Sequence, residues 1–72
     1  MDEAVAFGKV LHRLRRKAGM TQEQLGLEAD LRRIYVSILE LRQQQPSLGT
    51  IFKLAKALNV PAHEIIRQVE VG

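Results

Sequence analysis

Between Gly19 and Pro46 the chain writes two short helical patterns separated by one tight turn, and this spacing constrains the fold more than any other feature. Thr21 reads as an N-cap, with Gln24 three residues on as its capping-box partner. The helix that follows runs from about Gln22 to Glu28, with Leu25 and Ala29 facing inward. Asp30 and Leu31 make the turn. A further helix runs from about Arg32 to Leu41. The polar loop Gln43-Gln44-Gln45 leads into Pro46, which bars the helix from continuing.

The flanking sequence is helical as well, because no alternating strand pattern occurs in it. Asp2 can cap a first helix running to about Ala18, with Phe7, Leu11, Leu14 and Ala18 on one face and Gly19 closing it in a left-handed turn. Ser47 caps a fourth helix. Leu48, Ile51, Leu54, Ala55 and Leu58 give that helix an apolar stripe. Asn59-Val60-Pro61 ends it, and Pro61 suits the first turn of a fifth, whose stripe is Ala62, Ile65, Ile66 and Val69. The expected architecture is all-α, one domain over residues 1–72.

A chain of 72 residues buries only about 60% of its unfolded surface and often gains from oligomerisation. It leaves no room for a deep substrate cleft. Cysteine is absent, which excludes disulfides and thiolate metal sites and fits a cytoplasmic setting. No apolar run approaches the roughly 20 residues of a membrane span, and the acidic Met1-Asp2-Glu3 start lacks the order of a signal peptide. Net charge is +3, with an isoelectric point near 9.8. Lys9, Arg13, Arg15, Arg16 and Lys17 crowd the first helix around His12. Such a cluster suits a polyanion, or is simply a solvated face.

At 100° per residue, Tyr35, Val36, Leu39 and Glu40 fall on one side of the third helix. Ile34, Ser37, Ile38 and Leu41 fall on the other, beside Arg32 and Arg33. Arginine at such a position can read guanine through O6 and N7, and Ser37 can bond to a base edge or a phosphate. Ile34 and Ile38 offer only apolar contact, as to a thymine methyl. The alternative is an apolar Ile34-Ile38-Leu41 stripe that docks a protein partner.

Gly8, Leu11, Leu14, Arg15 and Gly19, then Thr21-Gln22-Glu23 with Leu25, then Tyr35-Val36-Ser37, Leu39-Glu40, Pro46-Ser47-Leu48 and Leu54 to Pro61 recur in one order. By these motifs the chain resembles the lambda-repressor-like (Xre/Cro-type) helix-turn-helix DNA-binding domains, from about Gly8 to Val69. The resemblance implies a compact five-helix domain with the helix-turn-helix at its second and third helices. It implies a transcriptional regulator, most simply a repressor, that binds a roughly palindromic double-stranded DNA operator as a homodimer. The two reading helices of such a dimer sit about 34 Å apart. Carried over residue by residue, Gln22 contacts phosphate at the start of the second helix, with Thr21 beside it as cap. Arg32, Arg33, Ile34, Ser37 and Ile38 face the groove, and Arg42 and Gln43 follow on the next loop. Arg15 and Glu40 form an internal salt bridge from the first helix to the third. Ile65, Ile66 and Val69 supply the dimer interface.

Some positions depart from the family pattern. Gly26 stands where alanine is common, at a cost of about 1 kcal/mol inside a helix. Asp30 replaces the turn glycine, and Leu41-Arg42 replaces a basic residue followed by glycine. Either Arg42 is left-handed and strained, or the third helix runs longer. Gln43, Gln44 and Gln45 replace cations, which lowers the salt dependence of DNA binding. Enzymatic chemistry has little support. Ser37 has no histidine placed to activate it, His12 and His63 make no metal site, and no glycine-rich phosphate loop occurs. Glu23, Glu28 and Glu64 are expected in solvent, and no cofactor is expected.

Overall fold

The computed structural model describes residues 2–71 as five helices: α1 (Glu3–Lys17), α2 (Gln22–Ala29), α3 (Arg33–Glu40), α4 (Leu48–Leu58) and α5 (Ala62–Val71). α1 packs against α5 and α3, while α2 packs against α3 and α4, and α4 also touches α5. The interior is built from Leu11, Leu25, Val36, Leu39, Leu54 and Ile65, one or two from each helix and each nearly inaccessible.

Local chemistry sets the helix starts. The Asp2 carboxylate accepts from the Ala4 N–H at 2.9 Å, and Ser47 Oγ accepts from the Thr50 N–H at 3.1 Å. Thr21 and Gln24 form a full capping box: Thr21 Oγ1 accepts from the Gln24 N–H and Gln24 Oε1 accepts from the Thr21 N–H. The helix ends turn left-handed at Gly19, Asp30, Arg42 and Asn59. Arg42, at φ +66°, therefore takes the strained alternative, and α3 stops at Glu40 with Leu41 as its C-cap.

Gly26 has a steric reason. A Cβ there would lie 2.7 Å from the Leu31 carbonyl oxygen, so the turn folds directly over α2 and a side chain would push it away. Asp30 at φ +58° lets that turn close, and the Leu31 N–H reaches the Gly26 carbonyl at 2.8 Å.

Three assignments of the apolar faces change. Ala18 is exposed, because it lies past the last turn of α1 as the C-cap. Leu48 is 65% exposed, since α4 begins there before it reaches the core. Tyr35 is half-buried at the core margin. Conversely, α1 buries Ala4, Ala6 and Val10 beyond the expected stripe, because it packs on two helices at once.

Candidate nucleic-acid interface

Arg15 and Glu40 set the position of α3. Arg15 Nε lies 2.6 Å from Glu40 Oε2 and Nη2 lies 3.0 Å from Oε1, a two-pronged pair. The two side chains are 10% and 5% exposed. Arg15 Nη1 also donates to the Met20 carbonyl at 2.8 Å, tying the α1–α2 turn to the same point. His12 Nδ1 sits 2.9 Å from Glu40 Oε1 and, in the tautomer with the proton on that nitrogen, donates to it; the Arg15 Nη2 lies 3.3 Å away. Burial opposes the charge on Glu40. Hydrogen bonds from Arg15, His12 and Gln22, with the Arg15 charge, outweigh it and hold its carboxyl below the ordinary value.

Gln22 belongs to this cluster. Its Nε2 donates to Glu40 Oε1 at 3.2 Å, so the side chain expected to reach phosphate is turned inward toward the buried carboxylate. What α2 presents outward is its N-terminus, at the rim of an open cleft lined by Arg16, Gly19, Met20, Thr21, Glu23 and Arg33. Arg16 and Arg33 both border this cleft at the start of α2, where an anion is favoured, with Glu23 also on its rim. Arg16 was counted only within the basic cluster. Its signal was its neighbour: Arg15 turns inward to Glu40, and 100° away Arg16 points to solvent.

α3 divides its residues cleanly. Val36, Leu39 and Glu40 are buried, while Ile34 is 57% and Leu41 62% exposed, with Ser37 and Ile38 half-buried between them. Arg32 is the N-cap of α3 and makes no side-chain cap, so its guanidinium is not committed to the helix start. Among the described residues, Arg16, Arg32, Arg33 and Arg42 make no salt bridge. Arg42 lies at the far end of α3, its Cγ 2.6 Å from where a Cβ on Gly8 would be. Ser37, Leu41 and Arg42 border a second open cleft with His12 and Gln22, and Gln43 is exposed on the loop beyond. Ile34 thus lies exposed on the side of α3 away from the core, next in sequence to Arg33.

The residues expected at a dimer interface separate. Ile65 is 1% exposed and packs in the core, because α5 turns it toward α1 and α4, and it is unavailable to a partner. Ile66 (43% exposed) and the half-buried Val69 instead border a shallow apolar groove with Phe7, Ile51 and Pro46. Nearby, Glu64 is not free in solvent. Hydrogen bonds from Arg67 and Gln68 draw its carboxyl down to about 2.

Comparison with known proteins places this arrangement. The helix-turn-helix family profile matches residues 11–65. Control protein C.BamHI of Bacillus amyloliquefaciens is 36% identical over 67 residues, covering 92% of this chain and 83% of that protein. The uncharacterised HTH-type transcriptional regulator y4dJ of Sinorhizobium fredii is 35% identical over 66 residues, covering 92% and 86%. The crystal structure of the restriction-modification controller protein C.AhdI from Aeromonas hydrophila superposes with a TM-score of 0.86 at 38% identity, covering 90% of this chain and 98% of that one.

Proposed function

This chain belongs to the helix-turn-helix family, and from that membership we propose that it is a DNA-binding transcription regulator seating α3 in the major groove of an operator. One observation carries the reading: Arg32 and Arg33 at the start of α3, Arg16 on the rim of the cleft at the α2 start and Arg42 past the end of α3 are all without a salt bridge among the described residues, while Arg15 and Glu40 hold the opposite face. Cations without protein partners at a helix start are what phosphates require, and an exposed helix face between them is what a groove accepts.

The narrower reading is a homodimer on a palindromic site. Ile66 and Val69, with the groove beside Phe7, supply an apolar surface on α5 away from α3. The likeness to the control protein C.BamHI and to the restriction-modification controller protein C.AhdI further favours control of a restriction-modification unit. Selection of bound duplexes from a random pool at physiological salt tests this function. The expected product is an inverted repeat with half-sites one helical turn apart, about 34 Å. Folded protein that enriches no sequence overturns the reading and favours a protein-docking role for Ile34, Ile38 and Leu41. Within the selected site, Arg33→Ala is expected to weaken binding by about 1–3 kcal/mol and relax one base position, measured by titration against a panel of single-base variants.

A further inference from the structure

The residues that α3 turns outward are unusual for reading DNA in one respect: apart from Arg33, the most exposed of them, Ile34 and Leu41, cannot form a side-chain hydrogen bond. Ile34 is 57% exposed at the second position of α3, where recognition helices meet base edges. Ile38 follows one turn later and is half-buried. A sec-butyl group pressed on an amino or carbonyl edge removes water from that edge and returns no partner, which penalises the base. In the major groove the apolar surface on a base edge is the methyl at pyrimidine C5.

We propose that Ile34, with Ile38 as a second and weaker contact, reads the C5-methyl group of a pyrimidine, so that the operator favours a methylated pyrimidine edge beneath α3. The inference rests on the DNA-binding reading above. Charge complementarity selects this occupant over a protein surface, because Arg32 and Arg33, both exposed and without a salt bridge among the described residues, immediately precede Ile34 at the start of α3 and would otherwise be held against an apolar partner. The two isoleucines are about 6 Å apart along the helix axis. Four residues apart, they stand on one face of α3, so the two methyl groups lie close together in the groove.

The test uses the duplex enriched from the random pool and removes one methyl at a time. Deoxyuridine in place of thymidine deletes the methyl and leaves every hydrogen-bonding group unchanged. Each methyl under an isoleucine is expected to weaken binding about fourfold when removed, the transfer value of one buried methyl. At the same position, 5-methylcytosine is expected to bind better than cytosine by a similar factor. Ile34→Ala, a change at an exposed position, should bind thymidine and deoxyuridine duplexes equally at the Ile34 step. A protein that binds its selected duplex tightly and shows less than a twofold change for every thymidine replaced overturns the methyl inference and leaves DNA binding intact. A deoxyuridine penalty that persists in both Ile34→Ala and Ile38→Ala overturns the assignment to these residues. Failure to enrich any duplex defeats the DNA-binding reading itself, and the inference with it.

Discussion

Glu40 shows how one buried carboxylate can fix the orientation of a surface. It receives hydrogen bonds from Arg15, His12 and Gln22, which come from the first helix and the start of the second. Replacing it with glutamine keeps the shape and strands the Arg15 guanidinium, and the expected loss is about 3–5 kcal/mol by urea denaturation. The pH dependence has a definite sign. Because its folded carboxyl sits below the ordinary 4.5, the stabilisation is complete above that value and drains away as pH falls through the lowered one. Melting curves of the wild type and Glu40→Gln should therefore converge on acidification below about pH 4. The Arg15–Glu40 pairing was implied by family resemblance rather than by the basic cluster, in which Arg15 looks like any other cation. The inward turn of Gln22 was not legible, because its cause is a carboxylate 18 residues away.

At the level of elements, α1 and α3 interlock at a glycine. A Cβ on Gly8 would lie 2.7 Å from the Leu39 carbonyl oxygen and 3.2 Å from that of Glu40, both backbone atoms. Gly8→Ala is expected to cost about 1–3 kcal/mol as the two helices are forced apart. It should also weaken operator binding, since the shift displaces α3. Thermal melts and a binding titration on the same variant check both effects. The five helices and their caps were plain in the sequence, because apolar spacing and capping chemistry are local. Faces were less so at ends: Ala18 and Leu48 match the period yet fall where their helix has left the core or not yet reached it. Whether Arg42 would turn left-handed stayed open for a similar reason. Nothing adjacent in sequence decides it, whereas in space its stem lies over Gly8.

Across the whole molecule, the outward α3 face and the α5 groove lie on different helices and can be tested apart. The groove beside Phe7, Ile66 and Val69 is the part of the dimer expectation that survives the burial of Ile65. Ile66→Glu is expected to shift a dimer toward monomer in sedimentation experiments, with melting close to wild type at dilutions where the wild type is also monomeric, since the position is 43% exposed. A second consequence follows from how α3 is held. Its buried side is fixed by Arg15 and Glu40, its near end by the turn lying on Gly26, and its far end by the Gly8 notch. Ile34 takes little part in that clamp. Residue 34 is therefore a replaceable letter on a fixed type block: most exchanges there should leave the fold standing, and if the face reads DNA as proposed, single steps there can change the sequence it spells without an unfolded ancestor between them.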